Sequence, residues 1–240
     1  MGTRRVLASV AHRAEANHGP PSPMTIDMST IPAECIVKQG DDWMLVAPIP
    51  DAIAEEVAAY SVAQRATMKH IVGSEEVRRK VVGNRMRQDR LCAAIVNGEI
   101  AGCISYRMDG EGSVWPEAKR FREHFGPVSG TFRYMLAEAT LHRGHRDELY
   151  LEGFKVDPAA RGRGIGTALL HWLGSEVVRR GKSRWRTEAS VTAAPAMRVY
   201  QGVGAKPTKT VHLGPIGRIA DRPSFVVLVW EPPVDTPAGT

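Results

Sequence analysis

The chain has 240 residues, of which 43% are hydrophobic and 24% charged, and a formal net charge of +6; these values are typical of a globular protein and exclude a disordered or fibrous chain. Its three cysteines lack the paired spacing of a disulfide framework, and no His stands at metal-ligand spacing from them, so we expect no metal. The unpaired cysteines fit a reducing cytosol, so we expect a cytoplasmic location. The apolar runs of the chain are shorter than ten residues, far below the roughly 20 that span a bilayer, so we expect no membrane partner.

Composition also divides the chain into one domain and two tails. Residues 1–33 are rich in Pro, Ser, Ala and His, and we interpret them as a mobile N-terminal tail. Residues 34–232 form the expected single domain, with a helical insertion over 107–147, and residues 233–240 form a C-terminal tail. A domain of this length can bury a core of its own.

The N-terminal part of the domain predicts a strand, two helices and a hairpin. The strand covers 42–49 and ends at two prolines, which lack a backbone donor. Asp51 is the expected N-cap of the first helix, and a second helix starts near Ser74. The pair Asn97-Gly98 separates two apolar runs, which predicts a two-residue hairpin turn with positive φ angles.

The insertion predicts two helices, over 116–125 and 131–142, which Gly126-Pro127 and Gly130 divide. Its aromatic side chains have two interpretations. They line an acceptor pocket, or they belong to the core, as aromatics at helical spacing often do. These side chains are Trp115, Phe121, Phe125, Phe132 and Tyr134.

The C-terminal part predicts strands and helices in alternation. The predicted elements are a strand over 148–156, a glycine-rich loop over 161–166, a helix over 167–180, a strand over 183–190, a helix over 194–203 and a strand over 225–230. Helices that alternate with a central parallel strand pair indicate an α/β sheet.

The glycine-rich loop has the composition of a phosphate site. Gly162, Gly164 and Gly166 leave the backbone amides accessible where a helix is predicted to begin, and Arg161 and Arg163 add positive charge. Residues 155–218 carry twelve basic residues against three acidic ones. This segment would attract a polyanion, either a phosphorylated cofactor or a nucleic acid.

Three classes of phosphorylated ligand compete for such a loop. A nucleotide P-loop requires a Lys followed by Ser or Thr, and none closes this loop. A dinucleotide fold requires a third glycine where Thr167 stands, although Glu188 occupies the end of the next strand, where an acidic residue would contact the ribose. Coenzyme A is the third class.

The run V-D-P-A-A-R-G-R-G-I-G-T-A-L-L over 156–170 resembles the signature of the GCN5-related N-acetyltransferases (GNAT), [QR]-x-x-G-x-[GA] after a strand that ends in V-D-P. A looser resemblance covers most of 43–230. It implies an α/β GNAT fold, a mixed, mostly antiparallel sheet with a central parallel, splayed strand pair flanked by helices. It also implies an enzyme that transfers an acetyl group from acetyl-CoA, its cosubstrate, to a primary amine of a small molecule or protein by direct attack.

The resemblance assigns roles to residues. The pantetheine arm would lie along Phe154 and Val156, and the pyrophosphate would bind the loop. The loop residues so assigned are Arg161, Gly162, Arg163, Gly164, Gly166 and Thr167. Tyr200, four residues before a glycine, would be the acid that protonates the leaving thiolate, whereas without the resemblance it would be read as a buried helix aromatic.

The general base is less clearly indicated. Glu152 should share one side of its strand with Tyr150, and it is either the base or a structural hydrogen-bond partner. Other candidates are Glu188, His142 and His145.

Two departures from the family pattern leave a second hypothesis open. Many relatives carry an Asn where this chain has Ala193, and a Phe where it has Ala205. A non-catalytic acyl-CoA-binding sensor is therefore the alternative function. No nucleic-acid-binding motif accompanies the basic segment, so we expect no nucleic-acid partner, and a homodimer is left open.

Overall fold

A computed structural model of the protein describes residues 25–63, 71–82, 86–113, 116–141, 146–212 and 224–233. In this part of the chain eight strands form one mixed sheet. The strands are β1 (Ile36–Gln39), β2 (Trp43–Val46), β3 (Leu91–Val96), β4 (Glu99–Arg107), β5 (Glu148–Val156), β6 (Arg184–Ser190), β7 (Lys206–His212) and β8 (Ser224–Trp230). Their order in the sheet is β1-β2-β3-β4-β5-β6-β8-β7.

Helices cover both faces of this sheet. They are α1 (Ala54–Ala63), α2 (Glu75–Val82), α3 (Ala118–Phe125), α4 (Pro127–Leu141), α5 (Ile165–Arg179) and α6 (Ala194–Gly202). Alternate β3 residues face opposite ways: Cys92 belongs to the apolar cluster that includes α5, and Leu91 to the cluster that includes α1. This two-residue alternation defines an α1 face and an α5 face of the sheet.

The central parallel pair is splayed. Strands β5 and β6 pair only from Glu148–Arg184 to Tyr150–Arg186. Beyond this point β5 stays paired with β4, and β6 with β8, so a gap opens between β5 and β6. The predicted fold class, with its parallel, splayed pair in a mostly antiparallel sheet, is confirmed.

A β-bulge lies on β5 beside this gap. Its ladder with β4 shifts register between Ser105–Gly153 and Tyr106–Leu151, so Glu152 has no opposite residue. The extra residue lets both Leu151 and Phe154 pack on the α5 face, although they are three positions apart.

The insertion packs as part of the domain. Phe121 is buried in a third cluster with residues of α1, α2 and α4, and Phe125 and Tyr134 pack against it. These three aromatics therefore pack in the core, as the second interpretation expects. Phe132 is 64% exposed, and Trp115 lies outside the described residues.

The predicted break at Gly130 is wrong, because helix α4 runs through it. A Cβ at this position would lie 2.3 Å from the Phe121 carbonyl oxygen. The glycine permits close contact between α3 and α4 and does not end a helix.

Several local predictions differ from the structure. Pro50, not Asp51, is the N-cap residue, because a 3-10 turn over 51–53 precedes α1. The edge strands β1 and β7 were not predicted, since both are mostly exposed and β1 has only four residues. Ile26 and Ile31, in the predicted N-terminal tail, are buried against the α1 cluster, so the packed chain begins before residue 34.

The hairpin is confirmed, with φ angles of 50° at Asn97 and 79° at Gly98.

None of the described helices has both the length and the apolar character needed to span a membrane.

Candidate cofactor and acceptor site

A cavity of about 810 Å³ lies where β5 ends and α5 begins, closed on the other side by α6. Seven of the eight residues predicted to bind the cofactor line it. They are Phe154, Val156, Arg161, Gly162, Gly164, Gly166 and Thr167. The fold therefore brings together in one cavity the strand end and the glycine-rich loop that the sequence placed in series.

The loop needs glycine at two of its three positions. Gly162 and Gly164 have φ angles of 81° and 79°, in the left-handed region that glycine adopts without strain. Gly164 is also the N-cap of α5 and provides no side-chain hydrogen bond to the first turn. No capping side chain therefore occupies the amides of that turn, and such amides bind anions.

The charge of the cavity is positive. Lys155, Arg161 and Arg198 line it, and no acidic residue does so in the described part of the chain. Lys155 is paired with Asp157 at 3.0 Å, and the Arg161 Nε donates a hydrogen bond to the Val156 carbonyl oxygen at 3.2 Å. The cavity therefore favours a polyanionic ligand.

Arg163 is the exception among the predicted residues, since it does not line the cavity. Its guanidinium is paired with Asp42, at the turn between β1 and β2. The Trp43 Nε1 donates a hydrogen bond to the Arg163 carbonyl oxygen at 3.1 Å. The loop is thus attached to a turn that is distant in sequence.

Tyr200 lies behind the gap, on the α5 face. It is 6% exposed, and its ring packs 5.5 Å from that of Phe154 and 6.2 Å from that of Trp185. Burial raises the pKa of Tyr200, and a hydrogen bond with Thr187 opposes that shift. The phenol is therefore protonated at neutral pH and next to a cavity residue.

Glu152 is held by several donors on the α1 face. The Arg107 Nη2 contacts its Oε1 at 2.5 Å, and the amide and hydroxyl of Ser113 donate to its Oε2 at 3.1 and 3.0 Å. Both side chains of the ion pair are nearly inaccessible, 3% exposed for Arg107 and 2% for Glu152. These contacts support the structural role of Glu152 over that of a general base.

Tyr150 marks the point where β5 and β6 part. Its ring lies between two guanidinium groups, 5.8 Å from that of Arg107 and 5.3 Å from that of Arg186. Arg186 also pairs with the buried Glu148, at 2.8 Å. Sequence reasoning named Tyr150 but not its two arginines; the two-residue period of β6 is the signal that could have placed Arg186 on this face.

Of the other candidate bases, Glu188 lies on β6, two residues beyond Arg186, and is half-buried. His142 and His145 lie outside the described residues. The three cysteines form no disulfide with one another, and all three are buried. Within the described ranges, no three His, Cys, Asp or Glu side chains are grouped so that they could hold a metal ion.

Two strands thus part beside a positively charged, glycine-lined cavity, an arrangement that suits an anionic ligand. A sequence model of the acetyltransferase (GNAT) family matches residues 63–205. This match covers more than half of the chain, so the protein belongs to that family.

Solved structures that this chain resembles include acetyltransferases. The ribosomal-protein-S18-alanine N-acetyltransferase from Escherichia coli is 16% identical, with a TM-score of 0.46 over 82% of this chain and 99% of that one. An agmatine N-acetyltransferase is 16% identical, with a TM-score of 0.49 over 80% of this chain and all of that one (100%).

A streptothricin acetyltransferase from Bacillus anthracis str. Ames, in complex with acetyl coenzyme A, is 12% identical, with a TM-score of 0.40 over 59% of this chain. The present chain spans 61% of that protein's length. No curated protein sequence matches this chain.

Proposed function

We propose that this chain is an N-acetyltransferase that transfers the acetyl group of acetyl-CoA to a primary amine of a small molecule or a protein. The cavity carries this proposal. It joins the open end of the splayed strand pair to a glycine loop, its charged lining residues are three cations, and no acidic residue accompanies them in the described chain. Membership of the acetyltransferase family supports it.

The cavity suggests how the cosubstrate binds. The pyrophosphate would accept hydrogen bonds from the uncapped amides at the start of α5, with Arg161 as an added positive charge. The pantetheine arm would enter the gap along Phe154 and Val156. One edge of β5 is paired with β4 here, and the other edge faces the gap. This path ends at the bulge, so the thioester would lie close to Glu152 and Tyr150.

The bulge offers a donor for the developing oxyanion. Glu152 lies opposite no residue of β4, and β6 has already turned away at this level. A backbone amide there, on the edge that faces the gap, could donate to the thioester oxygen as the amine nitrogen attacks. The C–S bond then breaks, and the thiolate requires a proton.

Tyr200 is our proposed donor of that proton. It packs on Phe154 at the gap, and its raised pKa keeps the phenol protonated at the pH at which amines react. The proposed role for Glu152 is different. Its carboxylate would hold Arg107 against Tyr150 and so shape the α1 face of the gap, where the amine would approach.

The proton of the attacking amine needs another acceptor. Glu188 is the remaining described candidate, because it lies on the same face of β6 as Arg186, beyond the point of divergence. A carboxylate there could take the proton directly or through one water. A cytoplasmic location and the absence of a nucleic-acid partner stay predictions.

Two observations favour the sensor alternative. Glu152, the first candidate for the general base, forms a buried ion pair with Arg107. Ala193 lines the cavity but offers no side-chain hydrogen bond to a cofactor. A sensor would bind acyl-CoA without turnover.

Thiol release from acetyl-CoA distinguishes the two functions. It would be followed with a chromogenic thiol reagent across polyamines, amino acids, aminoglycosides, arylamines and peptide N-termini. Acceptor-dependent release is the expected result. A chain that acetyl-CoA stabilises thermally but that releases no thiol with any acceptor would favour the sensor. A chain that does not bind CoA would contradict both functions.

A further inference from the structure

The turn between β1 and β2 contacts the glycine-rich loop (161–166) from outside the cavity. Asp42 pairs with the guanidinium of Arg163, and Trp43 donates to the carbonyl oxygen of the same residue. The Trp43 ring lies against Gly40, where a Cβ would come within 2.4 Å of the indole. The turn therefore contacts both the backbone and the side chain of Arg163.

The two loop arginines consequently differ. Arg161 lines the cavity, whereas Arg163 is directed to Asp42 and leaves its charge outside. The pair is accessible to solvent, with side chains 39% exposed for Arg163 and 47% for Asp42. Exposed pairs of this kind change an equilibrium by only about two- to five-fold. Arginine also binds phosphate oxygens well, because its planar fork of donors matches them.

We propose that Asp42 competes with the phosphates of CoA for Arg163 and so sets the affinity of the loop for its cofactor. This inference rests on the proposed function, since it deepens the description of the same cofactor site. When CoA binds, Arg163 exchanges the carboxylate of Asp42 for a phosphate oxygen. The Trp43 hydrogen bond is made to the backbone, so it holds the loop in place during this exchange.

The exchange has a functional consequence. The Asp42–Arg163 pair must break before Arg163 can contact CoA. CoA therefore binds more weakly than it would to a loop whose Arg163 had no carboxylate partner. The same pair re-forms when CoA leaves and therefore favours release of the product. Asp42 is thus an affinity-determining residue that contacts neither the acceptor amine nor the thioester.

The test measures the Kd of CoA by calorimetry for the variant Asp42→Asn. Its matched control is Asp41→Asn, which removes the same charge from the adjacent exposed position of the turn. We expect Asp42→Asn to tighten CoA binding about two- to five-fold relative to Asp41→Asn. The gain should shrink at high salt, because screening weakens the exposed pair that the substitution removes.

A second pair of variants separates competition from a general effect on the loop. In an Arg163→Gln background, Asp42→Asn should change the Kd no more than Asp41→Asn does, because the contested group is gone. A gain that survives in that background would overturn the proposal. Weaker binding by Asp42→Asn would also overturn it, since the pair would then order the loop for the cofactor.

The outcomes also separate this inference from the proposed function. CoA binding that Asp42→Asn and Asp41→Asn affect equally would overturn the role of Asp42 alone. A wild-type chain that does not bind CoA would overturn the cofactor site as well.

Discussion

The surroundings of the Glu152 carboxylate determine whether it can act as a base or as a structural hydrogen-bond partner. On a strand beside a thioester site it is a natural candidate for a base. In the structure its two oxygens accept from Arg107 and Ser113, and the side chain is 2% exposed. Loss of this carboxylate would leave the Arg107 charge buried without its counter-ion, so these contacts favour a structural role for Glu152.

Replacement of Glu152 by Gln should therefore act on stability. We expect the free energy of unfolding to fall by roughly 3 kcal/mol, because the Arg107 charge stays buried without its counter-ion. The acetylation rate per folded molecule, at a temperature where the variant is folded, should stay within a few-fold of wild type. Urea denaturation and steady-state kinetics measure the two quantities.

Glu148→Gln is the matched control, since Glu148 is also buried and paired, with Arg184 and Arg186. It should lose less stability, because Arg184 and Arg186 are 40% and 21% exposed, so water can solvate their charges once the carboxylate is removed. If Glu152→Gln kept its stability but lost rate by about 100-fold or more, Glu152 would be the base after all.

Tyr200 can be tested by removal of one oxygen atom. Tyr200→Phe should lower kcat on the order of 10²-fold, because the departing thiolate loses its proton donor. The Kd of acetyl-CoA should change little, since the ring still packs on Phe154.

Tyr106→Phe is a control for the loss of a buried phenol hydroxyl. That hydroxyl donates to Glu176 at 2.8 Å, at the far end of α5, so the variant should lose stability and keep its rate. Equal rates for Tyr200→Phe and wild type would contradict the acid role.

At the scale of elements, the two helices of the insertion depend on close approach. Gly130 lies in α4, where any Cβ would meet the backbone of α3 at 2.3 to 2.6 Å. A glycine within a helix usually lowers stability relative to alanine. Here the contact between helices reverses that preference.

Gly130→Ala should therefore destabilise the protein, by about 1 to 3 kcal/mol, because the backbone of α3 cannot move aside as a flexible side chain could. The midpoint of urea denaturation measures the effect. Ser129→Ala, at an exposed position of the same helix, should leave that midpoint nearly unchanged. A more stable Gly130→Ala would show that the helices separate at no cost.

At the scale of the whole molecule, two buried tyrosines and the half-buried Tyr60 link stability to alkaline pH. Burial is the largest cause that raises the pKa of Tyr60, Tyr106 and Tyr200 above the ordinary value. In the unfolded chain these phenols lose their protons near pH 10. The folded chain retains them, so above that pH the unfolded state binds fewer protons and stability falls.

The free energy of unfolding should therefore be insensitive to these groups below about pH 9 and should decrease as the pH rises through 10 and beyond. Urea titrations between about pH 8 and pH 11 measure it. Tyr60→Phe should make the decrease less steep, because one linked group is removed. A stability that rises through this range would contradict the assigned direction.

Features that depend on local interactions could be predicted from the sequence. Asn97-Gly98 takes the positive φ angles of its turn, and the loop at Gly162 and Gly164 does the same before a helix. The strand over 148–156 and the helix after the loop were also predicted correctly, apart from two residues at the helix start and one at its end. In each case the backbone preference of a few neighbouring residues specifies the conformation.

Contacts between distant parts of the chain could not be predicted in this way. Glu152 and Arg107 are 45 positions apart, and Arg163 and Asp42 are 121 apart. No pattern along the chain shows that Glu152 is buried beside Arg107. Nor does any pattern show that Arg163 pairs with Asp42 outside the cavity. Both contacts exist only after the sheet has assembled, because strand order and register determine which side chains meet. The glycine-rich loop can therefore be recognised along the chain, whereas the residues that pair with its arginines and with Glu152 are determined by the folded sheet.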